Sequence, residues 1–233
     1  MPRKATTSTT LAAARRPDHV GWLVRGAALA FLIPFLFADL LGVPRDGYYA
    51  IYVVAVLAFG ALWLHATGQD PVAMLRRNLR WGLALGLVAV AATAGLVFMN
   101  GATGRPGGLP FAGAILWRGV VYGAVDGVLL SVIPILGVFA ACSGRPLRER
   151  SRRAVAGIGA LALAVSLGFT AIYHVGYPDF RGSKVTKPLG GDVVWSLPTL
   201  LTLSPVGAPI AHAGMHVTAV VHAYHTDLFL PPH

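Results

Sequence analysis

The chain has 233 residues, 55% of them hydrophobic and only 12% charged. Ordinary globular proteins carry about 25% charged residues, so little room is left for a soluble fold. A single cysteine, Cys142, rules out a disulfide framework or a cysteine metal cluster within one chain, and nine acidic residues with one glutamate, Glu149, leave few groups for acid–base chemistry. The formal net charge of +10 comes from sixteen arginines and three lysines that lie in clusters between apolar blocks. That arrangement speaks for membrane topology and against a nucleic-acid partner.

Residues 1–21 form a polar, basic segment rich in Thr and Ala. The apolar run that follows is too long for a signal-peptide core and reads as a retained first span, although a mitochondrial transit peptide shares the composition of Met1–Arg16. The remaining domain, residues 22–225, is expected to be one all-α polytopic bundle, with a short tail at 226–233. Its spans are Gly21 to Val43, Tyr48 to Ala66, Trp81 to Met99, the long block Phe111 to Ala141, Ala154 to Tyr177, and Pro205 to Tyr224. The fourth block has 31 residues, roughly 46 Å of helix against a hydrocarbon core of about 30 Å, so it must tilt or kink, with Pro134 and Gly137 as the expected place. The eleven residues VVWSLPTLLTL, 193–203, are too few to cross and predict a re-entrant or interfacial helix. The expectation is thus six spans plus one short helix.

Basic residues fix an orientation. With the N-terminus inside, the inner segments hold 13 of the 19 basic residues, in the groups Arg3 to Arg25, Arg76 to Arg80 and Arg145 to Arg153. Both termini then fall in the cytoplasm of what the high Ala, Gly and Arg content suggests is a bacterial plasma membrane. Gly82 and Gly86 give the third span a face that admits close helix contact.

Ionisable groups inside a span cost several kcal/mol unless paired or hydrated, so they are candidates for function. Arg118, Asp126, His174, His212 and His216 qualify. Asp39 and His65 lie near span ends and can reach the interface, and His222 and His225 lie beside Asp227 near water. His212 and His216, four apart, stack on one helix face about 6 Å apart at Cβ, a spacing that suits two imidazole ligands of one metal or two hydrogen bonds to a neighbouring helix. A third ligand could come from His174. Arg118 can pair with another helix or snorkel to the headgroups, and Asp126, eight residues on and about 80° around the helix, does not reach it.

Three segments in order carry a resemblance. They are Phe111-Ala-Gly-Ala-Ile-Leu-Trp-Arg118-Gly119, Phe169-Thr-Ala-Ile-Tyr-His174, and Gly207-Ala-Pro-Ile-Ala-His212-Ala-Gly-Met-His216. Over about residues 110–225 the chain resembles the CAAX-protease and bacteriocin-processing (CPBP) family of intramembrane metalloproteases. The resemblance implies catalytic roles for Arg118, His174 and His212 and a zinc site at His174, His212 and His216. It departs from the family where the paired glutamates should stand, at Gly113 and Ala114, and at His216, where the family has asparagine. Without a carboxylate there, the general base is missing. No role passes to Asp126, three helical turns further on. The expectation is therefore a diverged, metal- or ligand-binding and non-proteolytic member, whose partners are the lipid bilayer and a membrane-embedded peptide or protein. Two other readings stay open: a haem or redox subunit ligated by His174 and His212, and a small transporter or accessory subunit in which the polar groups are structural.

Overall fold

The computed structural model describes residues 18–144, 146–225 and 230. The basic segment up to Pro17, Arg145, Asp227 and most of the predicted tail lie outside the described residues. Every regular element among the described residues is helical: α1 His19–Leu40, α2 Arg45–Thr67, α3 Pro71–Arg76, α4 Leu79–Phe98, α5 Gly108–Ala141, α6 Arg152–Val175, α7 Thr186–Thr202 and α8 Gly207–His222. Five of these (α1, α2, α4, α5 and α6) are long and apolar enough to cross a membrane.

Helix boundaries follow local chemistry. Asp18 accepts the Gly21 N–H at 2.8 Å and caps α1. Gly68, at φ 65°, supplies the left-handed residue that ends α2. Asp70 accepts from Val72 with Pro71 at the first helical position of α3, and Ser151 accepts from Ala154 at the start of α6.

α5 is the axis of the bundle. Of its most apolar window 72% is buried, against 22–28% for the other four long helices, which present apolar faces outward. It does not break at Pro134. The helix continues through the proline after widening into π-type turns at Ile115–Tyr122 and Val128–Val132. Pro134 has no N–H to give the carbonyl four residues back, and that carbonyl, Leu130 O, accepts instead from Ser166 Oγ on α6 at 2.7 Å. Pro34, by contrast, opens the π-type segment Pro34–Leu40 that closes α1.

α7 corrects the expectation of a short re-entrant helix. It has 17 residues because the polar stretch Thr186–Asp192 is already helical. Pro188 occupies its first turn, where no N–H is needed. At 1.5 Å per residue α7 is about 25 Å long. It runs antiparallel to α6 and α8, with Ser196 against Ser166, Trp195 against His212, and Pro198 beside Gly207.

α8 runs parallel to α4. Gly86 meets Gly207 and Ile210, Gly214 meets Val90, and His222 Nε2 reaches Asn100 O at 2.8 Å. Because α7 traverses the bundle instead of turning back, α8 ends at the opposite side from the start of α1. His19, Thr67, Arg77, Ser143 and Leu203 share a hollow at one end. At the other, Arg118 pairs with Asp46 and lies over Tyr224, and Arg181 pairs with Asp39. The first and last long helices therefore begin and end at opposite ends of the bundle.

Candidate metal centre

The contact between α5 and α8 depends on a stripe of glycines. Gly119, Gly123 and Gly127 recur every four residues on α5, and a Cβ on any of them would come within 2.7–2.9 Å of Val217, Ala213 or Pro209 on α8. Without side chains the two backbones approach closely enough for short polar groups to meet. Asp126, beside the last of these glycines, points at the two histidines of α8. Its Oδ2 lies 3.2 Å from His212 Nδ1 and 3.5 Å from His216 Nε2. All three residues are buried.

One ligand atom from each of Asp126, His212 and His216 falls within 4.8 Å of the others. Two ligands about 2.0 Å from a tetrahedral ion sit about 3.3 Å apart, close to the 3.2 and 3.5 Å that separate Asp126 Oδ2 from the two histidine nitrogens. The buried triad has the donor set and the spacing to bind a metal ion.

On Asp126 and His212 the atoms facing away from that point are also held. Tyr52 donates its hydroxyl to Asp126 Oδ1 at 2.8 Å, leaving Oδ2 toward the histidines. His212 Nε2 lies 3.5 Å from Asp192 Oδ1 and 3.3 Å from Ser131 Oγ. Asp192 is fully buried and is itself met by Ser131 at 3.4 Å, Ser196 at 3.3 Å and Ser166 at 3.5 Å. Metal-bound imidazoles characteristically pass their second N–H to a carboxylate, which fixes ring and tautomer. Above the triad six of the seven tyrosines are buried, and Tyr173 Oη joins the hydroxyls of Tyr122, Tyr177 and Tyr48 at 2.5, 2.7 and 3.1 Å.

A cavity of about 150 Å³ opens beside the triad, lined in part by Asp126, His212, His216, His174, Thr170 and Trp195. His174 therefore shares the cavity with the triad, but its Nδ1 is 2.8 Å from Thr170 O, and Asp126 takes the third place beside His212 and His216. Arg118 is placed elsewhere: Nε and Nη2 grip both oxygens of Asp46 at 2.8 and 2.7 Å. Gly113 and Ala114 stand three helical turns before Asp126, and among the described residues no atom of another element lies within 4 Å of where a Gly113 Cβ would stand.

Tyr52, Asp192, Ser131, Ser166 and Ser196 escaped the sequence reading. Asp192 follows Gly190 and Gly191, a composition that reads as loop. The four-residue glycine period on α5 was the available signal that α5 packs against another helix. No family model, no curated protein and no solved structure matches this chain.

Proposed function

We propose that this integral membrane protein binds zinc through Asp126, His212 and His216 and acts as a metal-dependent hydrolase on a substrate within the bilayer. The observation that carries the reading is the convergence of Asp126 Oδ2, His212 Nδ1 and His216 Nε2 while Tyr52 and Asp192 hold the opposite atoms of Asp126 and His212. Charge supports it. Two buried carboxylates in a lipid-embedded core need two positive charges nearby, and one divalent ion with two neutral imidazoles gives a total of zero.

Three protein ligands leave a fourth position for water or substrate, where such an ion supplies Lewis acidity and a bound water with pKa near 7. The chain's own part is to hold that position. Asp126 and the histidines set it, Tyr52 and Asp192 keep them oriented, and the apolar cavity wall limits access by bulk water. The likeness to CPBP proteases supports the class, with Arg118, His174 and His212 in family order; the missing glutamates support a diverged, non-proteolytic member whose carboxylate comes from Asp126. Haem between His174 and His212 is less well supported, because a cavity of about 150 Å³ is below even the roughly 300 Å³ at which pockets for drug-sized ligands begin. The end of the bundle carrying Arg76, Arg77, Arg80 and Arg148 to Arg153 is assigned to the cytoplasm. On this assignment the start of α1 is inside and the end of α8 outside.

Elemental mass spectrometry on detergent-purified protein tests the proposal. About one equivalent of zinc is expected, lost in Asp126→Asn and in His216→Ala and retained in His65→Ala. Zinc absent from the wild type, or unchanged in the first two variants, refutes it.

A further inference from the structure

The cavity beside the triad has a distinctive set of polar atoms. Trp195 Nε1 and Thr170 Oγ1 are buried, line the cavity and have no hydrogen-bond partner among the described residues. An indole N–H only donates, so Trp195 calls for an acceptor oxygen, and leaving such a group unmet in a buried site is unfavourable. The indole is held over His212, with ring centroids 5.2 Å apart. It lies back along α7 across Gly191, where a Cβ would come within 2.4 Å of the ring. The unmet N–H is thereby fixed beside the proposed metal position.

At the rim stand Lys187, in the first turn of α7, and Leu96, which is 51% exposed on α4. Lys187 is two helical turns from Trp195, about 12 Å along the axis. The rim thus combines a cation near the end of the bundle with an apolar side chain on a lipid-facing helix. The space between is small: a cavity of about 150 Å³ takes one benzene-sized group, enough for an acyl carbonyl and a few carbons but not for an extended peptide.

Resting on the metal reading, we propose that the site takes an acyl ester of a phosphate-headed lipid, entering sideways between α4 and α7. The phosphate meets Lys187 at the rim. The ester carbonyl accepts from Trp195 Nε1 and Thr170 Oγ1 beside the triad, and the acyl chain leaves past Leu96 into the bilayer.

The test is binding of hexanoyl glycerol 3-phosphate to the detergent-purified full chain, alongside its ether analogue, which lacks the carbonyl, and monohexanoyl glycerol, which lacks the phosphate. The wild type is expected to favour the first probe over each of the others by about tenfold, the size of one well-made hydrogen bond or ion pair. Trp195→Phe keeps the ring and should erase the ester-over-ether preference while sparing the phosphate preference; Lys187→Met should do the reverse. The inference is overturned if the wild type shows neither preference, if both survive in both variants, or if an apolar peptide displaces the probe as effectively as the lipid does. Zinc measured on the same samples separates the two readings. Zinc without lipid preference removes the lipid site alone, and lipid preference without zinc removes the metal alone.

Discussion

Replacing Gly123 by alanine tests whether the glycine stripe sets the site. A Cβ there would stand 2.9 Å from Ala213 Cα and His216 Cδ2 and 3.0 Å from His216 Cβ, where ordinary contacts are 3.4–4 Å. Relief requires α5 and α8 to separate by about 0.5 Å. That would stretch the 3.5 Å from Asp126 Oδ2 to His216 Nε2 toward about 4.0 Å, beyond the ±0.2 Å that metal ligation tolerates. Overpacking of this kind costs about 1–3 kcal/mol, or about 2–4 °C in melting temperature per kcal/mol at this chain length. Zinc affinity should fall by about 10–100-fold, as for other disturbances around a metal ligand. Gly113→Ala, on the same helix with nothing within 4 Å of the added carbon, is the control and should be neutral or slightly stabilising. The two are compared by thermal unfolding in one detergent and by competition with a chromophoric chelator. If Gly123→Ala melts within about 1 °C of wild type and holds zinc equally well, the close approach of α5 and α8 is not what builds the site.

Asp192→Asn keeps the shape of the side chain but weakens the acceptor behind His212; zinc affinity should drop about 10–100-fold by chelator competition without complete loss. Tyr52→Phe should act in the same direction through Asp126. Arg118→Ala should leave zinc content unchanged and lower stability by about 1 kcal/mol, because its bidentate pair with the half-exposed Asp46 ties the start of α2 to α5; loss of zinc would instead give Arg118 a part in the centre. With Cys142 replaced by serine, a membrane-impermeant maleimide applied to intact cells should label both Gly104→Cys and His225→Cys, since Thr103 N and His222 O are 3.0 Å apart. Labelling of the first without the second would restore an even number of crossings.

The apolar blocks were legible because hydropathy over about twenty residues depends on composition alone, and α1, α2, α4, α5 and α6 appear where it put them. α7 was not, since its first seven residues include Lys187, Gly190, Gly191 and Asp192, which read as loop until Ser131, Ser166 and Ser196 are seen to satisfy the carboxylate. Because α7 runs along α6 and α8, α8 ends at the opposite end of the bundle from the start of α1. His212 and His216 were legible from their spacing on one helix. Their partner was not: the two π-type segments on α5 change the residue-to-face relation on either side of Asp126, so a regular helical wheel cannot tell which neighbour a given residue meets. His174 was the reasonable substitute, and it reached the same cavity without joining the triad.

The central helix has a consequence for how the protein is made. α5 is the most apolar of the five long helices, at mean hydropathy 2.2, yet the one most enclosed by protein. Its finished surroundings therefore do not require that much hydrophobicity. Its entry into the bilayer does: helices partition into lipid before they pack, and a central aspartate then opposes insertion by about 2.5–3.5 kcal/mol, which several apolar residues at about −0.3 to −0.6 kcal/mol each must offset. The leucines, isoleucines and valines around Asp126 thus act first as ballast that carries a charge-bearing segment into the membrane, before α8 arrives with the histidines that give the carboxylate its partners.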